Sequence, residues 1–258
     1  MISQNDCFPQ PTNIDIKLWR YMDLSKFMHI LQTRSLFFSR ASQLGDPFEG
    51  AAAGQNVAWR QHLMLNRRTD SSLAQWAHLS DEEVSQWFAN SSKWHSEFRH
   101  QVAVSCWHMS EHESVAMWKV YSQSSDSVCI QTTYRKLACY LPVWVNMGVV
   151  SYIDYDIGWV REDNGFYRMM HKRKQFEYER EVRAVAWEGM PPQQGGDFIR
   201  QNMRDAGIMV PIDLSFIESI IISPYSPSWF FDVVRTAVHQ YAGQANVFES
   251  SLARVPAF

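Results

Sequence analysis

Cysteine is scarce and unpatterned in this chain. Cys7, Cys106, Cys129 and Cys139 are its 4 cysteines, and none stands in the CxxC spacing of a zinc knuckle or a disulfide framework. Free thiols are expected. A long apolar run is also missing: the most apolar stretch, 137–150, is interrupted by Pro142, Asn146 and Gly148 and is too short to cross a bilayer. It reads as interior structure, and no membrane partner is expected. Charge of one sign is lacking too. A net charge of −3 argues against a surface that grips nucleic acid wholesale through counterion release. His171-Lys172-Arg173-Lys174 is the one dense basic run, read either as a solvated helix face or as a phosphate-binding strip. The opening Met1-Ile2-Ser3-Gln4-Asn5-Asp6 has neither the basic start nor the apolar run of a secretory leader, so a cytoplasmic location is expected. A GxxxxGK[ST] loop, a GxGxxG after a strand and a GxSxG elbow are all absent, which removes the common phosphate-cradling and serine-hydrolase classes.

What is present is material for a core. Hydrophobic residues make up 46% of the 258 positions and charged residues 20%, which is no signature of disorder. Mixed folds of about this length commonly form one unit, so a single α+β domain over 1–258 is expected. Period-two segments alternate with helical ones: a strand at 17–22, a helix through 32 with Asp23 as its N-cap, and a second strand at 35–39. From 57 to 99 the pattern is helical, and Ser80-Asp81-Glu82-Glu83 matches a capping box inside this helical insertion. Strands are expected again at 101–107, 127–131, 145–153, 181–187, 208–212, 217–222 and 246–250, with helices near 115–121 and 229–241. The best linker candidate is the loop at 193–197.

Four places carry chemistry. Arg20 sits inside an aromatic strand, where its planar, fixed charge either grips a phosphate bidentately or stacks on aromatics and pairs with a carboxylate. In 176–185, period two would put Glu177, Glu179, Glu181 and Arg183 on one face. That face is either solvated or, at Glu181 where the run turns apolar, the edge of a cleft. Trp118 and Tyr121, at i and i+3 of a short helix, pack in the core or make a platform for a flat ring. With 11 Trp, 10 Tyr and 15 Phe, core packing accounts for most of the aromatics. His108-Met109-Ser110-Glu111-His112 formally fits HxxEH. It follows an apparent strand, where the helical face that would share a zinc ion does not form, and no metal is expected.

Leu18-Trp19-Arg20-Tyr21-Met22, Leu36-Phe37-Phe38-Ser39, Asp46-Pro47-Phe48-Glu49, Met117-Trp118 with Tyr121, Tyr178-Glu179-Arg180-Glu181-Val182-Arg183 and Glu218-Ser219-Ile220-Ile221-Ile222-Ser223-Pro224, in that order, resemble the bacterial family known as domain of unknown function 2971. Gly45 stands where that family has Asn. A more distant resemblance is to the ADP-ribosyltransferase superfamily, through Arg20, Tyr121 and Glu181, although a Ser-Thr-Ser triplet is lacking. This resemblance implies a mainly antiparallel central sheet and NAD as substrate, bound by Arg20, Tyr21, Ser39, Trp118 and Tyr121. Glu181 would orient the reaction, with Arg20 and Tyr121 beside it. It also implies a nucleic acid or protein acceptor, a defence or toxin role, and a neutralising partner protein. Two alternatives stay open: a non-catalytic binding domain in which Arg20 and Glu181 form an ion pair, and an NAD or nucleotide hydrolase.

Overall fold

The computed structural model describes residues 6–122, 124–243 and 245–254; residues 1–5, read above for a leader, lie outside them. The chain opens with β1 (Lys17–Asp23), α1 (Leu24–Thr33) and β2 (Ser35–Arg40), followed by α2 (Gly54–Asn66) and α3 (Asp81–Gln101). Next come β3 (Val102–Met109), α4 (Val115–Tyr121), β4 (Ser127–Thr133), α5 (Tyr134–Tyr140), β5 (Asn146–Val149), β6 (Ser151–Ile153), α6 (Gly165–Met169) and β7 (His171–Arg173). The last third holds β8 (Glu181–Trp187), α7 (Gly196–Asn202), β9 (Gly207–Pro211), β10 (Ser219–Ile222), α8 (Trp229–Ala242) and β11 (Asn246–Glu249).

Among the described residues the central sheet has nine strands in the order β11-β10-β4-β1-β3-β2-β9, with β8 on β3 and β5 on β8. Its pairings are antiparallel except for β10 with β11. The fold is thus α+β with a mainly antiparallel sheet, as expected. Between β2 and β3 the chain is helical, and Ser80 and Glu83 make the reciprocal capping box that starts α3. Period two sorts β1: Leu18 and Met22 enter the main core with Phe27, Leu31 and Phe230, whereas Trp19 and Tyr21 pack with Met117, Trp118 and Cys129. A second cluster, with Phe98, Phe166 and Met169, covers the other side of β3 and β8.

Some local readings change. The 145–153 segment is two strands, because β6 leaves the main sheet to pair with β7. The basic run is not a helix face: its first three residues form β7, with Lys172 buried. Residues Lys174–Glu179 form a 3-10 helix, so the alternation expected through 177–183 begins only at Glu181. Asp23 precedes α1 but makes no side-chain capping bond; it accepts from the Ser127 hydroxyl at 3.3 Å. In the expected loop at 193–197, Gly195 takes a positive φ of 85° and starts α7.

One feature of the sheet positions the site. β8 pairs with β3 from Val102 to His108, filling one edge of that strand. The other edge is shared: β2 takes Ala103 and Val104, and β1 takes His108 and Met109. Between those contacts β1 and β2 splay apart, and the Ser105–Trp107 edge of β3 is left without a strand partner.

Candidate functional site

A cleft of about 570 Å³ opens at this split. Arg20, Tyr21, Ser39, Tyr121 and Glu181 all line it. Trp118 does not. Its indole is fully buried, packs edge-on against Tyr21 at 4.8 Å and donates from Nε1 to Glu113 Oε2 at 3.2 Å. The i, i+3 spacing therefore separates the two rings: Trp118 anchors α4 in the core, and Tyr121, at the last turn, is left half-exposed at the cleft. Burial of its hydroxyl pushes the Tyr121 pKa up, and Glu179 adds to the effect.

Arg20 shares its β1 face with Leu18 and Met22 but meets the sheet's gap instead of the core. Its Nη1 donates to Ser105 Oγ at 2.9 Å and its Nη2 to the Phe37 carbonyl at 3.0 Å, with the guanidinium 5.6 Å from the Trp107 ring centroid. These two bonds join β3 to β2 where the strands part. A guanidinium has five N–H donors, so most of them remain available. No carboxylate lies within ion-pair distance of it among the described residues. Burial lowers its pKa to about 10, which still leaves it charged at neutral pH. Of the two readings of Arg20, the one that gives it a carboxylate partner is not seen among the described residues, and neither is the ion pair with Glu181 that the non-catalytic alternative would need. Lys26 and His29, both exposed on α1, also line the cleft.

At the other end the charges are packed together. Glu181 is 3% exposed. Its Oε1 accepts from Arg183 Nε at 2.6 Å, and its Oε2 accepts from Arg183 Nη2 at 3.1 Å and Lys172 Nζ at 3.2 Å. Lys172 also donates to Glu179 Oε2 at 2.5 Å and lies 3.5 Å from Glu49 Oε1. Arg183 pairs with Glu49 and donates from Nη1 to the Met169 carbonyl at 2.6 Å. Burial opposes ionisation of Glu181, but Arg183 and then Lys172 outweigh it and hold the carboxyl at about 2. Burial would also lower the Lys172 pKa, yet Glu181 and Glu49 push it up. Glu49 goes the other way: burial raises its pKa against the pull of Arg183.

Local geometry delivers these groups. Asp46, itself paired with Arg173, accepts from the Phe48 N–H at 3.1 Å and turns the chain. Gly50, at a φ of 80° that favours glycine, completes the turn, with Phe48 outward and Glu49 inward. Arg180 takes a left-handed φ of 41° just before Glu181, a conformation uncommon for a residue with a side chain. There the 3-10 helix becomes β8, and the Glu179 carbonyl meets His108 Nδ1 at 2.6 Å. Burial lowers the His108 pKa, favouring a neutral ring. Its HxxEH partners Glu111 and His112 lie in the turn after β3. No group of three or more His, Cys, Asp or Glu suited to a metal ion occurs among the described residues. Nor is any helix among them long and apolar enough to cross a membrane.

The sequence places Arg183 on the same strand face as Glu181, whereas Glu49 and Lys172 were not foreseen as partners of that carboxylate. A signal was available for Arg183, a charged residue inside an apolar strand. None marked Lys172, whose neighbours Arg173 and Lys174 make it look solvated.

No protein-family model matches the chain, and no curated protein matches it. Solved structures similar to it include DarT from Thermus sp. 2.9 in complex with NAD+, at 8% identity and a TM-score of 0.40 over 95% of this chain and 100% of that one. The same protein in complex with carba-NAD+ gives 9% identity and 0.39 over 95% and 100%. Its complex with ADP-ribosylated ssDNA gives 7% identity and 0.39 over 96% and 99%. At these TM-scores the chemistry of the cleft has to be read from its own residues.

Proposed function

We propose that the chain is an NAD-dependent mono-ADP-ribosyltransferase acting on a nucleic acid or protein acceptor, with Arg20, Tyr121 and Glu181 as the working residues of the cleft. The observation that carries this reading is the make-up of the cleft: a guanidinium with no acid beside it among the described residues, a carboxylate at Glu181 that Arg183 and Lys172 hold ionised, and the ring of Tyr121. A dinucleotide carries a group for each of these: a diphosphate, a flat cationic ring and a ribose hydroxyl. Arg20 supplies spare N–H donors to the diphosphate. Tyr21 and Ser39 line the adjoining wall, and Tyr121 offers a face for the nicotinamide.

In the transfer, the nicotinamide–ribose bond breaks with its electron pair passing to the ring nitrogen. Neutral nicotinamide leaves and positive charge develops on the ribose. An ionised Glu181 bonded to the 2′-hydroxyl stabilises that state more than the ground state. The acceptor's nucleophilic atom then forms the bond to C1′ and loses its proton to solvent. A second reading, ligand binding without transfer, is favoured by one observation: both oxygens of Glu181 are already engaged by Arg183 and Lys172.

Incubation with labelled NAD and a panel of nucleic acids and proteins separates the two. Transfer is expected, and Glu181→Gln should lower it about 10²- to 10³-fold, well beyond the roughly tenfold loss of NAD affinity that removal of one cleft charge brings. Recovery of all bound NAD intact, or the lack of any NAD binding, would favour the second reading.

A further inference from the structure

The Glu181 cluster is unbalanced. Glu49, Glu179 and Glu181 are three carboxylates, and Lys172 and Arg183 are the two cations that reach them. The charges around it do not make up the difference. Asp46 and Arg173 pair with each other, Arg168 pairs with Glu162, His108 is held toward its neutral form, and Arg180 is exposed. Glu49 is 3% exposed and lines no part of the cleft, whereas Glu179 and Glu181 do.

We propose that Glu49 is a specificity-determining residue: by drawing on Arg183 and Lys172 it leaves a surplus negative charge on the cleft-facing carboxylates, which selects a ligand whose ring is positively charged. With a neutral residue at 49, two cations would face two carboxylates, and the field of Glu181 at the cleft would be largely cancelled. With Glu49 ionised, which its burial opposes and Arg183 favours, the two cations serve three acids. Because the cluster is buried, solvent screens this surplus weakly and its field extends into the cleft. A cationic planar ring placed there completes the charge balance.

The inference rests on the NAD reading above and can be separated from it. Oxidised and reduced dinucleotide share every phosphate and ribose contact and differ in the ring charge. Their dissociation constants would be measured by titration calorimetry for the unmodified protein, Glu49→Gln and Glu179→Gln, with circular dichroism melting to confirm folding. The unmodified protein should prefer NAD+ over NADH by about tenfold or more, as expected for one unit charge acting at a partly buried site. In both variants the preference should shrink to within about twofold, with NADH affinity retained. If Glu49→Gln does not fold, Glu179→Gln carries the test, because the claim concerns the number of charges. An unchanged preference in a folded variant overturns the proposal. Equal affinities in the unmodified protein overturn it and leave the NAD reading standing. If neither dinucleotide binds, both fall.

Discussion

At one end of the cleft a single guanidinium, Arg20, bridges two splayed strands with no acid beside it. At the other, three carboxylates and two cations are packed within a few bonds of one another. The difference follows from the backbone. Arg20 stands where β1 and β2 separate, so its unused donors face open space. Glu181 and Arg183 lie on one face of β8 and both side chains are buried, so their charges must be satisfied inside the protein. A buried ion needs partners, whereas a charge at a gap can keep its binding capacity for a ligand. One end thus meets its charges with partners inside the protein, and the other leaves guanidinium donors unused at the cleft.

The strongest way to break this contrast is to remove the cation at the packed end. Arg183→Met leaves Glu49 and Glu181 facing each other in the interior, and should cost about 3–5 kcal/mol, as for other buried pairs stripped of one partner. Urea denaturation would measure it. The same cluster sets the acid stability. The folded pKa of Glu181 is depressed to about 2 from an ordinary 4.5, so its contribution is fully present above pH 4.5 and is lost as the pH falls toward 2. Glu49 has a raised pKa and opposes this, losing stability as the pH rises above 4.5. Glu49→Gln should therefore lift the high-pH side of the stability profile relative to the low-pH side.

At the open end the effects move from stability to binding. Arg20→Ala removes two hydrogen bonds and one charge, and should weaken NAD binding about 10- to 100-fold, with a smaller loss of stability read from the same denaturation curves. Lys26 sharpens the comparison at its weak limit. It lies on the rim, 3.9 Å from Asp23 and well exposed, so Lys26→Ala should change stability by less than about 1 kcal/mol. It should weaken NAD binding only about twofold, an effect that disappears at high salt.

The sequence by itself determined the elements that depend on near neighbours. Trp19 and Tyr21 alternate with Leu18 and Met22 because a strand has period two, and the capping box at Ser80 is complete within four residues. The strand setting of Arg20 and the point where Glu181 enters an apolar run were legible for the same reason. Tertiary structure decided what those residues meet. The helical spacing of Trp118 and Tyr121 could not say that one ring enters the core and the other faces the cleft, since that depends on the contact of α4 with Tyr21 and Glu113. Lys172 looked solvated because its neighbours are charged, yet β7 pairs with β6 and carries it inside. Above all, the split of β3's edge between β1 and β2 joins residues 20, 37 and 105 through pairings made far along the chain. No local pattern encodes such a gap, because it exists only when the strands around it are in register.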